Sequence, residues 1–389
     1  MKENINSITI ICCSLGFFIQ YFKTDGRRQI TKELIFLTLM FWLFLIHELV
    51  STDLSVKTIL LNLPFLVFPL LFYFRPIYIG EKEKSLALKV FQGAVLIVSI
   101  YFLWFFLDVN SVKLLFNVSP ENIPFFRDYV FRHAKLDIHP TYFSMFLLIS
   151  FTLSIYHLVT NKLNFKREKY LFIVNVIMTT FMLFLFSSRI IMVIYLLTLV
   201  LIVCFFFKKL NRKHKIITLI FLVSLGFLLL FSFKEILFKR FIEVFTEYKV
   251  ELKGNHHNST NIRVAIYNCA KELYYEMPFL GYGDSLQGEL NSCYESKYDS
   301  NFSKIQPYNT HNYYLNILLY GGWICLLIFC YYIYVVFKCI KGSKLSVLLL
   351  FQMLLVCTTE NFLSRHFGIV TFTYFLGMFI FIKELKEVG

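Results

Sequence analysis

Three basic residues stand where helices should begin, a placement that suits them to hold an anion or to move a proton. Arg189 follows Ser187 and Ser188 in LFSSRIIMVIYLL, at the junction of two apolar runs. The first turn of a helix carries free N–H groups and a partial positive charge, which favours phosphate. A cation there is locally unfavourable unless an anion is also bound. Ser188 as cap and Arg189 beside it therefore aim a dipole and a charge at one ligand. The plainer reading is an arginine snorkelling to a headgroup boundary, since burial at the bilayer centre costs about 2.5–3.5 kcal/mol.

The arrangement recurs in NSTNIRVAIYNCAKELYYEMPFLGYG. Thr260 or Asn261 can cap a helix with Arg263 in its first turn and Ile262, Ile266, Ala270 and Leu273 as its apolar stripe. Pro278, Gly281 and Gly283 then end it. Here the plainer reading is an amphipathic helix resting on a membrane surface, with Arg263 solvated. In QPYNTHNYYLNILLYGGWICLL, Thr310 is the expected cap of a span that opens with His311 and Asn312. A histidine beside the positive end of a helix is favoured in its neutral form, ready to act as a general base. A structural histidine at a span end is the alternative. His139 before Pro140, and Ser364, Arg365 and His366 at the last apolar run, repeat the theme. Together these basic helix starts suit a pyrophosphate. Metal catalysis is not expected: His256 and His257 are adjacent, which is poor spacing for chelation from one helix face, and no HxxxH motif lies nearby.

The elements that must position these residues are membrane spans. The chain has 389 residues, 57% hydrophobic and 16% charged, where a soluble domain would carry about 25% charged residues. Its 47 Phe and 24 Tyr give the aromatic load typical of membrane interfaces. A net charge of +14 could suggest nucleic acid, but the basic residues fall in short clusters between apolar runs, so no nucleic-acid partner is expected. No cleavable signal peptide is evident behind the first apolar run.

A span needs about 20 apolar residues. Candidates run at 7–22, 33–50, 56–74, 86–107, 140–160, 170–187, 190–207, 216–232, 313–337, 345–360 and 366–382. The expected fold class is an all-α polytopic transmembrane bundle of about 11 spans, within a range of 10–12, bearing a large helical extracytoplasmic loop. Alternate loops hold Lys23, Arg27 and Arg28; Arg75, Lys82 and Lys84; Lys162, Lys166 and Arg167; Lys208, Lys209 and Arg212; Lys338, Lys341 and Lys344; and Lys383 with Lys386. The positive-inside rule places that set in the cytoplasm, with the N-terminus outside. The chain then divides into N-terminal helices 1–232, a large outer loop 233–311 and C-terminal helices 312–389. Cys269 and Cys293 share that outer loop, where an oxidising compartment would allow them to pair. No internal repeat is visible, which gives a repeat-based transporter no support.

The combination of SSRIIMVIYLL, a long outer loop with an early NIRVAIY and a P-x-x-G-x-G turn, and THNYYLNILLYGGW resembles the O-antigen ligase and polymerase superfamily. HPTYFSMFLL from His139 is also similar, and the resemblance covers roughly residues 127–340. Its most specific piece is His311, Asn312, Tyr314 and Leu315 followed by the pair Gly321 and Gly322. The resemblance implies a GT-C-like glycosyltransferase of the bacterial inner membrane, active on its periplasmic face, without metal, cofactor or nucleotide sugar. It would move a glycan from a polyprenyl-pyrophosphate lipid, the undecaprenyl carrier, to an acceptor hydroxyl, with inversion, in surface polysaccharide or lipopolysaccharide biosynthesis. The acceptor is a glycan or glycolipid, lipid A core for a ligase and the next repeat unit for a polymerase. Residue by residue, the catalytic histidine maps to His311 and the pyrophosphate-binding arginines to Arg189 and Arg263; Ser188, Asn312, His139 and Arg365 are expected in support from their places at helix starts. Asp284, Glu289 and Glu295 read as contacts to sugar hydroxyls or solvent. One departure is topological, because the family commonly has twelve spans with both ends inside. A lipid-linked saccharide transporter or flippase is the rival from another class, but it would need charges deep within spans, and few are present. A non-catalytic scaffold would leave the capped basic residues unexplained.

Overall fold

The computed structural model describes residues 31–50, 54–76, 79–118, 123–134, 138–160, 166–206, 233–254, 258–305 and 307–382, with 10, 12, 14–16, 19–23, 136 and 231 besides. All of the expected span at 216–232 but residue 231, part of that at 7–22, the basic cluster around Lys208 to Lys215, and His256 with His257 lie outside the described residues.

The described chain is helical almost throughout. Its helices are α1 (Lys32–Leu37), α2 (Leu39–Val50), α3 (Val56–Asn62), α4 (Pro64–Tyr73), α5 (Glu81–Leu107), α6 (Phe125–His133), α7 (Pro140–Thr160) and α8 (Lys166–Phe186). After them come α9 (Arg189–Phe206), α10 (Lys234–Glu247), α11 (Asn261–Tyr275), α12 (Leu286–Lys297), the single turn α13 (Phe302–Ile305), α14 (Tyr313–Ile340), α15 (Lys344–Val356) and α16 (His366–Phe381). A two-residue parallel pair, Lys253–Gly254 against Asp299–Ser300, joins two parts of the 233–311 segment. Five stretches among the described residues are long and apolar enough to cross a membrane: Val56–Tyr73, Glu81–Leu107, Pro140–Val159, Arg167–Phe186 and Tyr313–Ile340. Leu39–Val50, Arg189–Cys204, Lys344–Val356 and His366–Phe381 are apolar but shorter. The protein is an all-α helical membrane protein, as its composition requires.

The sequence sets the helix ends by ordinary means. Thr31, Ser55 and Ser343 cap α1, α3 and α15 by accepting the N–H of the residue three positions on. Pro64 occupies the first turn of α4, where a missing N–H costs nothing. The single span expected at 33–50 is instead two helices separated at Thr38, whose hydroxyl donates to the Ile35 carbonyl and accepts from Trp42 Nε1.

Packing divides the chain into two units, residues 1–84 with 247–389, and residues 85–246. In the second, α7 lies along α8. A buried polar seam joins the helices there: Gln92 Nε2 donates to Ser154 Oγ, Ser150 Oγ to Asn175 Oδ1, and Asn175 Nδ2 to the Gln92 carbonyl. Such bonds hold apolar helices together where burial supplies little difference between lipid and protein. Phe102, Phe126, Phe143 and Phe186 interlock beside the seam. In the first unit, α16 packs on α4, and Phe65 sits edge-on to both Tyr332 and Phe372. Glu48, deeply buried in this unit, is satisfied by the Ser55 N–H and the Tyr320 hydroxyl.

Candidate functional site

The site in the first unit is assembled where a long loop meets a broken helix. Helix α14 loses helical geometry at Gly321 and Gly322, the latter with φ of 70°. The turn Pro278 to Gly283 docks into that break, with Tyr282 N–H donating to the Leu319 carbonyl at 2.8 Å. Gly281 has φ of 74°, and a Cβ on it would run into the Tyr320 carbonyl. A Cβ on Gly322 would meet the Phe279 carbonyl. The P-x-x-G-x-G turn and the glycine pair are thus one feature, each supplying the space the other needs.

Helix α11 begins at Asn261, with Ile262, Ile266, Ala270 and Leu273 buried and Arg263 in the first turn, but Thr260 in the cap position does not make the expected side-chain cap bond. Its start is held by Asn258, whose Oδ1 accepts from the N–H groups of Thr260 and Asn261. A disulfide joins Cys269 on this helix to Cys293 on α12.

The cap of α14 differs from the expectation. Thr310 does not cap it; the helix starts at Tyr313, and Asn312 Oδ1 accepts from Leu315 N–H at 3.1 Å. The reason is that His311 takes φ of 45°, a left-handed turn that puts it outside the helix. A non-glycine residue there costs about 1–3 kcal/mol and persists only where its surroundings enforce it. Those surroundings are polar: His311 N–H donates to Asn309 Oδ1 at 3.0 Å, and the Thr310 hydroxyl lies 3.1 Å from Asn361 Oδ1. Asn361 Nδ2 donates in turn to Asn316 Oδ1 at 3.0 Å.

The turn brings His311 to a residue the sequence reading did not single out. Glu360 bridges two of the expected site residues, accepting from Arg263 Nη2 at 2.8 Å through Oε1 and from His311 Nδ1 at 3.3 Å through Oε2. The carboxylate side chain is 11% exposed, against 28% for Arg263 and 25% for His311. An ionised carboxylate only accepts, so Nδ1 carries the proton and Nε2 is left with its lone pair. That is the orienting role an acid plays beside a histidine base. Arg263 uses one of its five N–H donors on Glu360, and the others have no protein partner among the described residues. Tyr267, one turn along α11, has its hydroxyl pKa raised by burial; Arg263 pulls it down and Glu360 pushes it up. It remains a protonated donor.

Arg189 belongs to the second unit, at the first position of α9, where it pairs with the buried Glu243 of α10. Ser187 before it has φ of 42°, and Ser188 is buried with its carbonyl accepting from Met192 N–H. The anion that a cation at a helix start calls for is, at both arginines, a carboxylate of the chain itself. His139, also in the second unit, accepts from Thr141 N–H through Nδ1 and so caps α7. Arg365, in the first unit, precedes α16 and is exposed, with no ion-pair partner among the described residues.

An α-helical membrane protein thus carries a His–Glu–Arg cluster in which a carboxylate holds an imidazole and a guanidinium together, a candidate acid–base and anion-binding site. Residues 174–330 match the O-antigen ligase family model, a stretch running from within α8 to within α14. The match holds Arg189, Arg263 and His311, while Glu360 and the HPTYFSMFLL segment lie beyond it. It supports the chain as a member of the O-antigen ligase and polymerase superfamily, and with that an O-antigen ligase-family function in surface polysaccharide biosynthesis. No curated protein matches the chain.

Proposed function

We propose that the protein is a membrane glycosyltransferase that moves a saccharide from a polyprenyl-pyrophosphate lipid to an acceptor hydroxyl, at the periplasmic face of the bacterial inner membrane. The observation that carries this reading is Glu360 holding His311 and Arg263 together inside a chain with an O-antigen ligase match.

In this mechanism the acceptor O–H gives its proton to His311 Nε2, the nitrogen that Glu360 leaves free. The acceptor oxygen bonds to the anomeric carbon from the face opposite the pyrophosphate, and the carbon–oxygen bond to the pyrophosphate breaks with inversion. Charge grows on the departing phosphate, and the donors of Arg263 not used by Glu360 meet it there. A group that engages more strongly as charge develops lowers the barrier rather than merely tightening the ground state. Tyr267 stands one turn from Arg263 as a further donor. Arg189, with its own carboxylate in the second unit, is proposed separately as an anion-binding residue. The chemistry needs neither metal nor nucleotide sugar.

The test is turnover of purified protein in lipid nanodiscs with a lipid-linked donor. General-base assistance is worth roughly 10²–10⁴-fold, so His311→Ala should lose turnover on that scale while keeping its fold. Turnover near the wild-type rate would remove His311 from the mechanism.

A further inference from the structure

A cavity of about 150 Å³ opens beside the histidine turn, and the chemistry above leaves it unused. Its polar wall is Asp284, Gln287, Asn309 and Asn316, and Leu290 and Tyr320 help to line the rest. Asn309 is the residue whose Oδ1 accepts from the His311 N–H, so one wall residue of the cavity also holds the histidine turn.

The wall keeps particular groups free. Asp284 Oδ1 accepts from Thr58 Oγ1 at 3.0 Å, and Oδ2 has no partner among the described residues. Gln287 donates through Nε2 to Asn291 Oδ1 and to the Tyr308 carbonyl, which fixes the amide and turns Oε1 loose. Asn309 spends Oδ1 on His311 and retains its Nδ2 donor. Asn316 is fully engaged with Asn361 and Ser364 and serves as a rigid backing. The free set is therefore two acceptors, one of them a carboxylate, and one donor, beside buried leucine and a tyrosine ring.

That set rejects an anion, since no Lys or Arg lines the cavity and a carboxylate faces it. It suits groups that donate and accept at once, with C–H faces between them. At about 30 Å³ per water the space holds roughly five waters, half the lower bound of a drug-sized pocket, so it takes one ring and not a chain. We infer that this cavity binds a single neutral sugar ring, its hydroxyls donating to Asp284 Oδ2 and Gln287 Oε1 and accepting from Asn309 Nδ2. The inference rests on the glycosyltransferase reading for its choice of ligand. The ring belongs either to the donor glycan or to the acceptor.

The probe is the reducing oligosaccharide released by mild acid from the host cell's own surface glycan, measured by saturation-transfer NMR on the full chain in nanodiscs. Asp284→Asn should weaken its binding on the order of tenfold to a hundredfold, the range for a charge-assisted hydrogen bond. His311→Ala should bind normally, and so should Thr58→Val, which removes the Thr58 bond but keeps the carboxylate. Equal binding by wild type and Asp284→Asn, no binding by wild type, or an equal loss in Thr58→Val would each overturn the inference. In turnover, Asp284→Asn should raise one KM with little change in kcat: the donor's if the ring is the donor's, the acceptor's if it is the acceptor's. Normal turnover by His311→Ala with sugar binding still dependent on Asp284 would sink the catalytic reading alone.

Discussion

Replacing Glu360 by Gln keeps the shape of the bridge and removes its charge, and the structure dictates what the amide must then do. Arg263 and a protonated Nδ1 both donate, so a carboxylate can serve both at once. An amide has one oxygen and one NH₂. Arginine offers no acceptor, so the oxygen must turn to Arg263 and the NH₂ must face His311. The imidazole answers by moving its proton to Nε2, which leaves Nδ1 to accept and removes the base from the side where the acceptor hydroxyl would lie. Glu360→Gln should therefore cost about as much as losing the base, roughly 10²–10⁴-fold in kcat, or about 2.7–5.4 kcal/mol. Glu360→Ala frees the ring to adopt either tautomer, so it should be no worse than Gln despite removing more atoms. Single-turnover transfer in nanodiscs is the assay, with the rate followed across pH. A wrong tautomer is not corrected by raising pH, so the Gln variant should stay slow throughout. Turnover within threefold of wild type for a folded Glu360→Gln protein would refute the bridge as the device that orients His311.

Arg263→Ala should lose kcat by one to two orders of magnitude, and Arg263→Lys should recover only part of it, because a point charge cannot serve Glu360 and a phosphate together; steady-state transfer reads both. Arg189→Ala, assayed alongside, should weaken donor lipid binding and raise its KM. Reducing the disulfide, or Cys269→Ser with Cys293→Ser, opens a loop with a sequence separation of 24 and should destabilise the outer loop by about 3 kcal/mol, visible as a lower Tm in thermal scans. Tyr294, buried in that loop, has its pKa raised by burial, so the folded form keeps the proton after the unfolded chain has lost it. Stability should be intact below about pH 10 and fall above it by roughly 1.4 kcal/mol per pH unit for this group. Tyr294→Phe should flatten that fall in an alkaline unfolding series.

The parts of the site legible in the sequence were those whose signal is local. Arg263 and His311 announce themselves as basic residues at helix starts, and the apolar stripe of α11 is spaced as a helix demands. The polar partners were hidden because their meaning lies far along the chain. Glu360 meets Arg263 across 97 positions and His311 across 49, which no periodicity encodes. One clue was present: it is the single acid between Lys344 and Lys383. Glu243 carried no such mark, being one of several acids on an amphipathic helix. The rule that a cation at a helix start needs an anion was sound, but its simplest solution is a carboxylate from the same chain, and only folding reveals that. The cap of α14 was misplaced for a related reason. Asn312 and Thr310 are both good caps by type, and the choice between them is made by the left-handed turn at His311, which its long-range neighbours enforce.

The docking of the Pro278–Gly283 turn into the break at Gly321 and Gly322 has a consequence for exchanging parts between relatives. The Leu319 carbonyl takes its hydrogen from the loop, at a place where the helix cannot supply it and lipid would not. Loop and helix are for that reason one structural unit. A chimera that transplants the loop must carry the glycine pair with it, and one that straightens the helix must surrender the loop.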